Sequence, residues 1–137
     1  MKSATRNALL ARLSRYDRVV EVGIGVHDDV ARALAAAASP PTTVLATDVH
    51  DRPTPPGVEF VRDDITRPTR SVYEGADALY ALRLPPELHR PTWDVAREVG
   101  ATFHFTTLGA DPPEVPVGRE TLPGTTLFTA RERGVVA

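Results

Sequence analysis

The chain contains no cysteine, which excludes disulfides, thiolate nucleophiles and cysteine-ligated zinc. It also lacks a long apolar run. The longest, Ala33 to Ala38, falls far short of the roughly 18 residues of a membrane span. The N-terminal stretch MKSATRNALLARLSRY is broken by arginines and has no signal-peptide core, so a cytoplasmic protein is expected. The net charge of −2 gives no general pull toward nucleic acid. The basic residues Lys2, Arg6, Arg12, Arg15 and Arg18 are read mainly as a solvated helix face, with an RNA-contacting patch as the less favoured reading. Phosphate-binding P-loops, His-Glu-x-x-His and a Ser/His/Asp set are absent too.

What is present is an alternation of apolar strands and helices. Length predicts one domain over residues 1–137. A first helix is expected over 3–16, with Ser3 as its cap. Strands are expected at Arg18–Gly23, Thr42–Val49, Val58–Val61, Ala76–Leu82 and Ala101–Leu108, and a last one at Thr125–Glu132, antiparallel at an edge. A helix is expected from Asp28 to Ala38, stopped by Ser39-Pro40-Pro41, and another restarts at Pro91 and closes at Gly100. Residues 109–124 read as a loop. The pattern predicts a three-layer, Rossmann-like α/β fold: a mostly parallel sheet of five to six strands with helices on both faces.

Ligands of such sheets bind outside the carboxyl ends of the strands, where strand order reverses. Those ends carry Glu21, Gly23 and Gly25, then Asp48, His50 and Asp51, then Asp63 and Asp64, then Arg83, Glu87 and His89. Two glycines let a ligand approach the backbone. An acid 23 residues beyond Gly25, Asp48, suits the two hydroxyls of a ribose. The first turn of the following helix holds Asp28 and Asp29, which repel a pyrophosphate at about 1 kcal/mol per close pair. A ligand with a positive end fits better, and S-adenosylmethionine is such a ligand. Glu21 would attract its ammonium, or stand as a paired structural charge. Arg83 would bind a carboxylate or an anionic substrate, or else pair with Glu87 or Asp64. Glu87 and His89 are acid–base candidates, His104 reads as core, and no catalytic residue is assigned. The acids of the rim match no metal-ligand spacing, and no metal is expected.

These motifs resemble the class I S-adenosylmethionine-dependent methyltransferases over residues 19–108. VVEVGIG resembles their glycine-rich motif, ATDVH their ribose-binding motif, and VEFVRDDI the motif whose aspartate reaches adenine, which falls on Asp64 beside Asp63. The resemblance implies cofactor contacts by Glu21, Gly23, Gly25, Asp48, Asp63 and Asp64. The chain departs from it in three places. His27 stands where a third glycine is usual. Leu84-Pro85-Pro86-Glu87 lacks a polar residue for a target amine. The segment after the fifth strand looks too short for the usual closing hairpin. Nearly the whole chain also resembles an archaeal family, uncharacterised protein family 0146, through EVGIG, Thr47-Asp48, DDI with Pro68, LYALRLPPEL and VGA at 99–101. A small methyltransferase is the leading expectation. A non-catalytic adenosyl-binding module and an NAD-dependent enzyme are the alternatives.

Overall fold

The computed structural model of the chain describes residues 1–37 and 41–133. The strands are β1 (Arg18–Val22), β2 (Thr43–Asp48), β3 (Val58–Arg62), β4 (Ala78–Leu84), β5 (Thr102–Thr107), β6 (Val117–Leu122) and β7 (Thr125–Ala130). They form one seven-stranded sheet in the order β3-β2-β1-β4-β5-β7-β6. β1 to β5 are parallel, and β7 runs antiparallel to both β5 and β6. Among the described residues three α-helices, α1 (Ser3–Leu13), α2 (Asp29–Ala36) and α3 (His89–Val99), cover the sheet.

The sheet therefore has seven strands rather than five to six. The closing hairpin expected to be reduced or absent is present as β6 and β7. β6 lies in the stretch read as a loop. Its sequence, VGRETL, is half-exposed or exposed except at Leu122, so it has no apolar run to find. It is the true edge strand, and its Arg119 and Glu120 suit that place. β7 sits one strand inside the edge.

Each helix differs a little from expectation. α1 ends at Leu13, not 16, and Ser3 lies inside it; the cap position is Lys2, with no side-chain cap bond. α3 starts at His89 after a 3-10 turn at Pro86–Leu88, so Pro91 falls within its first turn, where no N–H is needed. Gly100 ends α3 in the left-handed conformation (φ 75°), as a C-terminal glycine should. α2 is described to Ala36; its expected end at Ala38 and the stop at Ser39-Pro40 lie outside the described residues.

Cover on the sheet is thin at one end. No helix joins β2 to β3, because Arg52-Pro-Thr-Pro-Pro-Gly57 cannot form one. A single 3-10 turn, Arg70–Val72, lies between β3 and β4. β3 accordingly buries only Val58 fully. On one face α1 and α2 pack Leu9, Leu13, Val30 and Leu34 against Val19, Val44 and Ala78. On the other, α3 packs Trp93, Val95 and Ala96 against Val20, Leu79, Phe103 and Phe105. Among the described residues no helix is long and apolar enough to cross a membrane.

The N-terminal helix is tied to the closing hairpin. Thr5 Oγ1 donates to Pro123 O (2.6 Å), and Arg12 pairs with Glu120 on β6 through Nε (2.9 Å to each oxygen). Gly124, between β6 and β7, has φ +77° and lies so close that an added Cβ would sit 2.6 Å from Thr5 Oγ1. Glycine is required there by both conformation and space.

Candidate functional site: a cavity at the reversal of strand order

Strand order reverses between β1 and β4: from β1 the chain first builds outward to β2 and β3, then returns to β4 on the other side. A cavity of about 600 Å³ opens at this point, a size that suits a small-molecule ligand. Its walls come from the β1–α2 turn, the ends of β4 and β5, the start of α1 and the β6–β7 turn. Glu21, Gly23, Gly25 and Arg83 all line it.

The turn after β1 is built by its two glycines. Gly23 has φ +71° and Gly25 φ +58°, and a Cβ on either would meet no atom within 4 Å. Conformation calls for glycine here, while the space beside it is open. The turn is anchored at its back: the N–H groups of Gly23 and Ile24 both donate to Thr47 O (2.9 and 3.0 Å), and the Gly25 N–H donates to Asp48 Oδ2 (2.8 Å). His27 lines the cavity without a positive φ, so the turn closes with no third glycine. Asp29 also lines the cavity, while Asp28 pairs with Arg32 at 3.3 Å.

Glu21 is almost wholly buried, at 2% exposure. It faces the α1–α2 side, register-paired with Tyr80 of β4, whose hydroxyl donates to Glu21 Oε1 (2.6 Å). Burial is the main cause that pushes its carboxyl up to about 8, reinforced by the charge of Asp28 and opposed by the Tyr80 bond. At neutral pH the floor of the cavity is therefore a protonated carboxyl.

Asp48 stands behind the turn, outside the cavity lining. Its Oδ1 accepts from the His50 N–H (2.9 Å) and lies 3.5 Å from Arg52 Nε. Burial alone would raise this carboxyl; the N–H groups of His50 and Gly25 and the Arg52 charge outweigh it and hold it below its usual value. Arg52 Nε is buried with no hydrogen-bond partner. A carboxylate has about four acceptor positions. This corner thus combines spare acceptor capacity with one unmet donor, which suits hydroxyl groups.

The acids after β3 are occupied by their own loop. Asp63 accepts from Tyr73 Oη (2.6 Å) and from the Thr69 N–H (3.1 Å), tying the end of β3 to the following 3-10 turn. Asp64 Oδ1 accepts from the N–H and hydroxyl of Thr66 (2.9 and 2.7 Å). Neither lines the cavity. Among the described residues no three His, Asp or Glu side chains gather as a metal site would require.

Arg83 holds the most unusual position. It is the one non-glycine residue with positive φ among those described, at 51°. The register of β4 on β5 slips between Ala81 and Leu84, so that Leu82 and Arg83 together face Thr106. This is a β-bulge, a device that re-aims a side chain. The freed Arg83 N–H donates to Thr106 Oγ1 (2.7 Å). The left-handed conformation costs an arginine about 1–2 kcal/mol. Among the described residues neither Glu87 nor Asp64 pairs with Arg83, so the salt bridges weighed from the sequence do not form.

His89 corrects another expectation. It is fully buried, with Nδ1 accepting from the Glu114 N–H (3.1 Å), so Nε2 carries a proton and donates to Leu84 O (2.9 Å). It pins the β5–β6 connection to the end of β4 and is not at the rim. His104 is structural, as read: it bonds Tyr16 Oη (2.7 Å) and Thr129 Oγ1 (2.8 Å). Sequence reasoning missed Tyr80, Thr106 and the cavity wall formed by Lys2, Thr5, Gly124 and Thr125. Tyr80 becomes visible only through the β1–β4 register. The wall needs the docking of α1 on a hairpin about 120 residues away.

The fold is similar to that of solved methyltransferases. The chain is similar to an RNA methyltransferase from Salinibacter ruber solved in complex with S-adenosyl-L-homocysteine, at TM-score 0.64, over 100% of this chain and 95% of that one. It is similar to the antibiotic-resistance methyltransferase Kmr at TM-score 0.57, over 94% of each chain. At 13% and 17% identity these likenesses are of fold alone. By sequence the chain belongs to the Uncharacterised protein family UPF0146, whose model matches residues 4–133. A family member from Halobacterium salinarum is 53% identical over 123 residues, 89% of this chain and 93% of its own length. One from Archaeoglobus fulgidus is 48% identical over 100 residues, 73% of this chain and 75% of its own.

Proposed function

We propose that the protein binds S-adenosylmethionine or a related adenosyl compound at the β1–β4 cavity and acts as a small methyltransferase. The observation that carries this reading is the open glycine turn, Gly23 and Gly25, set over the buried Glu21 where strand order reverses. The neighbour of like fold that carries S-adenosyl-L-homocysteine supports it. The bound compound would supply an electrophilic methyl group on a sulfonium.

The chain's own residues would do the rest. Gly23 and Gly25 admit the ligand against the backbone. Asp48, with Arg52 beside it, takes the ribose hydroxyls. Glu21 meets the ammonium, whose charge favours the ionised carboxylate, so binding releases a proton near neutral pH. Asp64 keeps Oδ2 for the adenine amino group, since both its bonds fall on Oδ1; Asp63 holds the loop that carries it. Asp29, on the cavity wall at the start of α2, disfavours a pyrophosphate and hence NAD. A non-catalytic adenosyl-binding module is the second reading. The buried Leu84 before Pro85-Pro86 favours it, because that position offers an amine no hydrogen bond.

Calorimetric titration with S-adenosylmethionine, S-adenosylhomocysteine and NAD tests the reading. Binding of the first two is expected, with affinity lowered about tenfold or more in Asp48→Ala. NAD binding in their place would overturn it. Methyl transfer to no acceptor, with adenosyl binding intact, would leave the module reading.

A further inference from the structure

We propose that the part of the cavity away from the glycine turn is a subsite for an oxyanion, a carboxylate or phosphate group, and that Arg83 is the residue that grips it. The inference deepens the adenosyl reading and rests on it only for which end of the cavity that ligand fills.

Three observations carry it. First, β4 spends a bulge and a left-handed residue to place this arginine at the cavity. A strained non-glycine conformation persists only where the surrounding structure holds it, and it clusters at ligand sites. Here Thr106, itself buried, holds it through the Arg83 N–H. An arginine needed only for solvation has no use for this arrangement.

Second, no described carboxylate lies within 4.0 Å of the Arg83 or Lys2 charge. Among the described residues six arginine–acid pairs do form within that limit, at Arg12, Arg32, Arg52, Arg70 and, twice, Arg97. Nine further arginines also lack a described acid within that limit, so the open fork of donors on Arg83 tells only through its place on the bulge and in the cavity lining.

Third, charge in the lining is segregated. Its acids are the charged Asp29 and the protonated Glu21, which a cation would ionise; they come from the start of α2 and from β1, on the side of the glycine turn. Its fixed cations, Lys2 and Arg83, come from the start of α1 and the end of β4. Leu82 and Leu108 add apolar wall and Thr106 and Thr125 add hydroxyls on that second side. A cationic group is matched at the first end and an anionic group at the second. A guanidinium binds carboxylate or phosphate through two parallel bonds. The oxyanion belongs either to a second reactant or to the amino-acid end of the adenosyl ligand.

Amide resonances of the full chain, followed during titration with inorganic phosphate, test the subsite. Phosphate is expected to shift Arg83, Thr106 and Leu108 in the wild type. The effect should fall about tenfold or more in Arg83→Gln and in Arg83→Gly, and in part survive in Arg83→Lys. Arg83→Gly suits the left-handed backbone and so folds even if the glutamine variant does not. Phosphate shifts that are absent, lie elsewhere, or persist unchanged in both charge-removing variants would overturn the inference.

The source of the oxyanion comes from comparing S-adenosylhomocysteine with methylthioadenosine, which lacks the carboxylate. A loss in Arg83→Gly for the first alone assigns the subsite to the ligand's own carboxylate. Equal affinities in variant and wild type for both compounds, with phosphate binding lost, assign it to a second reactant. Failure of both compounds to bind, with the phosphate response intact, would sink the adenosyl reading and leave the subsite standing.

Discussion

On the α3 side of the sheet, successive strands present Val20, Leu79, Phe103 and Phe105; on the α1–α2 side, the next residues present Glu21, Tyr80, His104 and Thr106. The first face is an apolar core. Phe105 lies between Phe103, His89 and Phe128, with ring centroids 4.7, 4.7 and 5.5 Å away. The second face has its own apolar core under α1 and α2, and toward the strand ends it adds a row of polar side chains, each held by a named partner. A strand alternates its side chains between faces. Both faces therefore hold the fold together, but only the second also carries polar groups, Glu21 and Thr106, to the cavity wall. The difference teaches where stability and function should separate under mutation.

The largest effect should come from the apolar face. Phe105→Ala is expected to cost about 3–5 kcal/mol of stability, read by urea unfolding, while adenosyl affinity at low temperature stays unchanged. A loss of affinity without a loss of stability would break the comparison. Next is Glu21, whose carboxyl is held at about 8 in the fold against an ordinary 4.5. The native state keeps a proton there that the unfolded chain has lost. Stability therefore falls as pH rises from 4.5 to about 8 and levels off above that. Glu21→Gln should remove this slope and exceed the wild type by about 2–4 kcal/mol above pH 8, with little difference near pH 4. Thermal unfolding across pH would show it, and parallel profiles would mean the carboxyl is not held protonated.

His104 should act in the opposite direction. Burial is the main cause that lowers it from 6.5 to about 4, so its contribution is complete above pH 6.5 and is lost as pH falls toward 4. His104→Gln should flatten that acid limb by about 1–3 kcal/mol, measured in the same experiment. The smallest effect is at the bulge. Arg83→Gly should relieve the left-handed arginine and gain about 0.5–1 kcal/mol, even as it removes the cation from the cavity. A variant less stable than the wild type would show that the guanidinium supports the fold rather than a ligand.

Much of the fold was legible because its causes are local. Apolar runs marked β1, β2, β4 and β5, and Gly100 marked the end of α3. β6 was not legible, since an edge strand exposed on its outer face carries no apolar run. The lack of a helix between β2 and β3 was legible, since three prolines within Arg52–Gly57 mark that stretch as a loop. In the site, Glu21, Gly23, Gly25 and Arg83 were found from their places at strand ends, and the cavity brings them together. Asp63 and Asp64 were found the same way, yet their loop takes up most of their bonding. His27 was read as a departure because it stands where a third glycine is usual; it is not among the residues with positive φ, so the turn closes without a glycine there.

The sequence by itself determined the strand–glycine–helix turn and the acid at the end of β2. A positive φ and a buried apolar strand are demands that single residues meet or fail. Tertiary structure alone decided that Glu21 is protonated, because that needs burial and the hydroxyl of Tyr80, 59 positions away. It decided that the bulge sets Arg83 at the cavity wall, because a bulge exists only relative to the register of β5. It also decided that β7 enters between β5 and β6 and so closes the cavity with the N-terminal helix, a pairing between distant segments that no local pattern encodes.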